Sequence, residues 1–145
     1  MRAALKAADS APGYNSKNKT GAVIVEKNRI IAVGVNSTKT HPLAKTYSKH
    51  PQAIYLHAEI HAIIQAQRTS SNFSNCSIYI ARRTYTTKRI ESGCGLAKPC
   101  DGCAAAIGHF NFSLVGHSLD SDELMNYVTV DIRRNRVEIH MEICK

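Results

Sequence analysis

The sequence predicts an α/β domain with a mixed sheet of about five strands and helices on its faces. Three patterns predict it. Two β-branched runs, 21–25 and 30–35, flank Lys27-Asn28 as turn material, which is a hairpin signal. A strand at 77–81, an Ala-rich helix at 100–109 and a strand at 112–115 follow in the order that implies a right-handed parallel crossover. Residues 137–143 alternate apolar and polar without a break. The 145 residues fit one domain, spanning 1–145, that can bury a core without disulfide staples.

Taken in order, residues 3–9 read as a short helix, ahead of the first hairpin. Residues 37–56 are polar, carry Pro42 and Pro51, and read as a long loop. Residues 57–68 read as a helix whose Glu59, Ala62, Ile63 and Ala66 share the face that packs on the sheet. Residues 82–98 form a basic, Gly-containing loop, and Pro99 sits where a first helical turn would start. The helix at 100–109 stops near Asn111. Residues 127–132 and 137–143, with 133–136 as the turn, look like an edge hairpin with one wet face.

Apolar residues are 43% and charged residues 21% of the chain, which excludes disordered and fibrous classes. Charges interrupt every long apolar stretch, so no membrane-spanning helix is expected. The opening Met1–Lys6 is too short and too charged for a signal peptide, and a soluble cytoplasmic protein is expected. The 19 Lys and Arg outnumber the 11 Asp and Glu, for a net +8. That excess serves solubility or favours an anionic partner such as a nucleotide, a nucleic acid or a phosphorylated metabolite. Five Cys without an export signal argue against a disulfide framework and draw attention to Cys100 and Cys103, a C-x-x-C pair.

Three features carry chemistry: His57-Ala58-Glu59, Pro99-Cys100-Asp101-Gly102-Cys103, and Asn36. Cys100 and Cys103 lie at i, i+3 in a helix's first turn, so their sulfurs point the same way. The exposed amides and positive dipole end there favour thiolates. Two thiolates and one imidazole make three zinc ligands and leave an open position, as at a catalytic site. Glu59, on the buried stripe of its helix, is the candidate base. Residues two apart on a helix project about 200° apart. His57 and Glu59 can therefore face one ion only if His57 stands at the very start of the helix.

Rival readings exist. His57 and His61 are spaced like the ligands of an H-E-x-x-H protease, but Ala58 fills the place its Glu needs. His61 is then a surface or supporting residue. A thioredoxin-type pair would follow its strand closely, whereas a 17-residue loop intervenes here. A structural zinc site would need a fourth ligand, for which Cys94 is available.

H-x-E followed by P-C-x-x-C is the signature of the zinc nucleobase deaminases. The chain resembles the cytidine deaminase superfamily, and its deoxycytidylate deaminase-like, partly phage-borne branches in particular. The first hairpin, ending at Asn36, and the helix beginning His57-Ala58-Glu59-Ile60-His61 also match, over roughly residues 18–117. The resemblance implies a three-layer α/β/α fold and a homo-oligomer. It implies that His57, Cys100 and Cys103 bind Zn²⁺ and that Glu59 shuttles protons as water attacks C4 of cytosine and ammonia leaves. It implies that Asn36 bonds the sugar or base edge, and that backbone groups near Ala58 meet the pyrimidine carbonyl. Without the resemblance, Asn36 also reads as a strand-end turn residue.

The sequence departs from the family pattern in two long basic loops. One holds Arg82, Arg83, Lys88, Arg89 and Lys98 against Glu91; the other holds Lys39, His41, Lys45, Lys49 and His50. Either they are solvated or they hold a substrate phosphate. The expected substrate is a cytosine nucleotide, dCMP foremost. The alternatives are a base in RNA or single-stranded DNA, a free nucleoside or purine, and a non-catalytic zinc module. The loops supply only Tyr47, Tyr55 and Tyr85 for base stacking, which disfavours a polynucleotide.

Overall fold

A computed structural model of the chain describes residues 1–12, 19–50, 55–84, 93–121 and 124–143. It begins with helix α1 (Arg2–Asp9) and the predicted hairpin of β1 (Lys19–Glu26) and β2 (Arg29–Val35). Lys27 and Asn28 between them have φ of 48° and 63°. Two successive positive φ values make the primed turn whose twist suits a two-residue hairpin.

The region read as a long loop is partly ordered. It contains β3 (Ser37–Thr40), α2 (Pro42–Tyr47) and β4 (Tyr55–Leu56), with β3 and β4 paired as a small separate sheet. Pro42 starts α2 rather than breaking the chain, because its missing N–H falls where a helix has no acceptor for it. His41 caps the helix, its Nδ1 accepting from Leu43 N–H at 3.1 Å.

Helix α3 (Ala58–Ala66) leads to β5 (Cys76–Arg83), the two-residue β6 (Cys94–Gly95), α4 (Asp101–His109) and β7 (Leu114–Ser118). β7 lies parallel to β5, as the strand–helix–strand order predicts. It starts two residues later than expected because Phe112 is buried, its ring stacked 5.2 Å from that of Phe73. Asn111, at φ 62°, ends the helix turn in the left-handed region that suits Asn. The chain closes with β8 (Leu124–Asp131) and β9 (Arg136–Ile143).

The main sheet has seven strands rather than about five, in the order β2-β1-β5-β7-β8-β9, with β6 paired to the end of β5. A two-residue strand such as β6 shows no periodicity by which a sequence could announce it. Alternation divides the strands between two cores. Ala22, Ile24, Ile78 and Ile80 pack with Ile60, Ala62, Ile63 and Ile107 on the α3/α4 side. Val23 and Ala81 pack with Leu5, Cys94 and Met125 on the α1 side. Helices thus cover both faces, as the three-layer expectation requires. Among the described residues no helix is long and apolar enough to cross a membrane.

Candidate active site and metal centre

Two helix starts converge on one point. His57 is the N-cap of α3, in an extended conformation (φ −76°, ψ 155°), which meets the geometric condition for His57 and Glu59 to face the same place. Cys100 is the N-cap of α4, and Pro99 stands just before the cap rather than in the first turn. Cys103 N–H donates to Cys100 Sγ at 3.5 Å, so the cap itself turns that sulfur toward Cys103.

The depth of this pairing is set by two close approaches. A Cβ on Gly34 of β2 would lie 2.2 Å from the carbonyl oxygen of Ala58, and one on Gly102 would lie 2.2 Å from that of Tyr47. The strand and α2 therefore seat the two helix starts directly. Gly34→Ala is expected to push the start of α3 away from β2. It should destabilise the protein by about 1–3 kcal/mol in denaturant melts and lower the zinc content of the purified protein.

His57 Nδ1 is 3.7 Å from Cys100 Sγ and 3.4 Å from Cys103 Sγ. All three donor atoms lie within 4.8 Å of one another. Zinc bonds of about 2.3 Å to sulfur and about 2.0–2.1 Å to nitrogen, meeting at a tetrahedral angle, place S and N about 3.5 Å apart. The two observed distances bracket that value. The electrostatics agree. Contact with Cys103 and then with His57 pulls the Cys100 thiol down to about 3. The same contact with Cys100, and then burial, pushes Cys103 up. The hydrogen bond to Cys100 raises His57. Crowded thiol and imidazole groups with one open side are a donor set that a soft divalent cation satisfies, and they fit Zn²⁺.

Glu59, in the first turn of α3, is 6% exposed, and burial pushes its carboxyl up. The neighbouring His57 and Cys103 side chains oppose that rise. It opens into a cleft of about 260 Å³ lined by Thr20, Asn36, His57, Ala58, Arg82, Lys98 and Cys100, with Leu96 and Ala97 as apolar wall. Asn36 is 4% exposed, and its Oδ1 accepts from Thr20 N–H at 2.8 Å. It stands between the end of β2 and the start of β3 and lines the cleft. Ala58 is fully buried at the first position of α3.

A second cleft, of about 320 Å³, meets the first at His57 and Cys100 and is lined by Tyr47, Lys49, His50, Tyr55 and Asp101 among others. It does not include Glu59. Of the two clefts, the smaller one is therefore the one that joins Glu59 to His57 and Cys100.

The other residues raised by the sequence stand apart from the donor group. His61 is no ligand: Val35 N–H donates to its Nδ1 at 3.1 Å, and its Nε2 lies 3.1 Å from the Gln65 amide, so it ties α3 to β2. Cys94 is buried in the core on the α1 side of the sheet and does not join the donor group. Cys76 is buried in the other core, and Cys144 lies outside the described residues. Of the basic residues, Arg83 makes a two-pronged pair with Asp9 at 2.7 and 2.9 Å and holds α1 on β5. Lys39, His41 and Lys45 line neither cleft, and Lys88, Arg89, Glu91 and Tyr85 lie outside the described residues. Arg82 and Lys98 remain beside Glu59.

Thr20 was not singled out in the sequence. It reaches the cleft because β1 and β5 pair with Thr20 opposite Arg82, a register that no local pattern states. Ser118 fixes the facing wall. Its buried hydroxyl donates to Gly95 O at 2.7 Å and accepts from Arg82 N–H at 3.1 Å, and its carbonyl accepts from Ala97 N–H at 3.0 Å.

Comparison with known families decides the class. The family described as the cytidine and deoxycytidylate deaminase zinc-binding region matches residues 1–116. The chain belongs to this family. This deaminase also shares its fold with solved relatives. The dCMP deaminase of cyanophage S-TIM5 in apo form is 19% identical with a TM-score of 0.57, over 84% of this chain and 81% of that one. The same phage enzyme in complex with dCMP and dUMP gives 19% and 0.52, over 78% and 73%. The cytidine deaminase of Burkholderia pseudomallei gives 16% and 0.55, over 97% and 87%. No match to this deaminase is found among curated proteins. It is a zinc-dependent hydrolytic enzyme of the family, and its His/Cys/Cys group fits the metal.

Proposed function

We propose that the protein converts a cytosine nucleotide, dCMP foremost, to the uracil nucleotide with release of ammonia. The reaction is assigned to one deaminase domain of residues 1–145, whose β8 and β9 extend the same sheet beyond the 116 matched residues. One observation carries the reading. A single cleft joins the buried carboxyl of Glu59 to Asn36, to the start of α3 and to the cations Arg82 and Lys98. The phage relative that shares this fold was solved with dCMP and dUMP.

His57, Cys100 and Cys103 would hold the Zn²⁺, which would supply the Lewis acidity that makes water a nucleophile near neutral pH. Glu59 takes a proton from the attacking water as the water's oxygen bonds to C4 of the pyrimidine. Glu59 delivers that proton to N3, then takes the proton of the new C4 hydroxyl and passes it to the exocyclic nitrogen. The C4–N bond breaks, ammonia departs, and the base is left with a carbonyl. The burial that keeps Glu59 from bulk water keeps these protons in the site. Asn36, held by Thr20, orients the sugar or base edge. No side chain caps α3, so its first amides are suited to take the pyrimidine carbonyl near Ala58. Arg82 and Lys98 pair with the phosphate.

The test is ammonia release from cytosine nucleosides, nucleotides, purines and short single strands, run beside zinc content. The highest kcat/KM is expected for dCMP. Lys98→Gln should raise KM for dCMP roughly tenfold, the worth of one charge-assisted hydrogen bond, and leave deoxycytidine unchanged. A preference for single strands over every free nucleotide would overturn the substrate, as would equal KM effects on nucleotide and nucleoside.

A further inference from the structure

The last strand is open along its outer side. Among the described residues β9 pairs only with β8, so it ends the sheet with a row of main-chain donors and acceptors available to another strand. It is eight residues long and holds neither Pro nor Gly. Two devices that usually blunt such an edge, a proline and a short strand, are missing from it, and the charges it carries are of mixed sign. Its apolar face is also unexpectedly bare. Val137, Ile139 and Met141 are 66%, 72% and 75% exposed. Val137 pairs with Val130, which pairs with Val115 of the α3/α4 core. That stripe therefore lies on the α3/α4 side of the sheet, past the helices' cover. The opposite face carries Arg136, Glu138, His140 and Glu142.

Within the chain Glu142 lies 3.3 Å from Arg2 and Arg136 lies 3.9 Å from Glu138; exposed pairs of this kind are weak, and the same charges also suit a second copy of the strand. Two antiparallel β9 strands related by a two-fold axis must pair residues of equal parity, or apolar and polar faces would be mixed. Three central registers satisfy this. Centred on Glu138, the pairing sets Glu138 against its own copy and Arg136 against His140. Centred on His140, it sets Glu138 against Glu142. Centred on Ile139, it sets Arg136 against Glu142 and Glu138 against His140, each twice. On the other face it sets Val137 against Met141 and Ile139 against itself. Of the three, the last alone joins unlike charges and opposes no like ones. Cross-strand pairs of these kinds are the units that stabilise a sheet.

We propose that the protein forms a closed two-fold dimer through β9, centred on Ile139, that continues the sheet from one chain into the next. Self-pairing is isologous and stops at two, whereas β9 on the other edge strand, β2, would be head-to-tail and would give open chains. No residue of β9 lines either cleft, so the dimer leaves the site accessible.

The test reads assembly rather than turnover. Light scattering across a concentration series should give a dimer. Arg136→Glu and Glu142→Lys should each raise the dissociation constant roughly tenfold or more, since two attractions become two repulsions. Mixing the two variants should restore a dimer at the wild-type constant, because both contacts between positions 136 and 142 are then of unlike sign; this recovery also shows that both variants fold. Under mild oxidation Ile139→Cys should cross-link between chains. Val137→Cys should not, its copy being offset by four residues, about 14 Å. A monomer at all concentrations, open-ended assemblies, a dimer insensitive to both charge variants, or no recovery on mixing would overturn the proposal.

Discussion

Glu59→Gln should lower ammonia release from dCMP by roughly 10²–10⁴-fold, the range a positioned acid–base group contributes, with zinc content at the wild-type level. The expectation follows from place. The residue is 6% exposed, stands in the first turn of α3, and shares its cleft with Asn36, His57 and Cys100. Gln keeps the volume and the hydrogen-bonding reach but cannot carry a proton to N3 or to the leaving nitrogen. The measurement is a stopped assay for ammonia beside metal analysis of the same preparation. Two results would sink the assignment. Unchanged turnover would make the protein's zinc a fastener and Glu59 a buried spectator. Loss of the metal along with activity would mean that the carboxyl holds the site together rather than moving protons.

The parts of this site that were legible in the sequence are those encoded within a helical turn. The i, i+3 spacing of Cys100 and Cys103 implies parallel sulfurs, and the structure sets Cys100 as cap of α4 with Cys103 beside it. The H-x-E spacing requires His57 at the start of its helix, and it is the N-cap of α3. What the sequence hid depends on register and distance. Thr20 and Arg82 meet because two strands pair with those residues opposite. Lys98 joins them because Ser118 holds the segment after β6 against β5. Residues 37–56 read as a loop because a proline marks a helix start as readily as a break, and because the cap of α2 is a His ring, not the usual Ser or Asp. The apolar alternation of β9 marked a strand correctly but could not say that its apolar side would be the bare one, since that depends on how far α3 and α4 reach.

Cys103→Ser should cost the protein its zinc, its activity and much of its stability together, whereas Cys94→Ser should leave zinc content unchanged. Cys103 is 3% exposed and 3.4 Å from His57 Nδ1. Cys94 is as deeply buried, but on the far side of the sheet among Val23, Ala81 and Met125. The two substitutions make the same chemical change at similar burial, so any difference between them isolates the metal. A ligand bound at a thousand times its dissociation constant stabilises the native state by about 4 kcal/mol. For a chain of this size that corresponds to a Tm lower by roughly 10–20 °C when the site is lost. The two helix starts would then hold crowded polar groups with no cation between them. Strong chelation of the wild-type protein should reproduce both the fall in Tm and the loss of ammonia release, and added Zn²⁺ should reverse them for the wild type but not for Cys103→Ser. Equal zinc content in the two variants would remove Cys103 from the metal and leave the His57–Cys100 contact without a role.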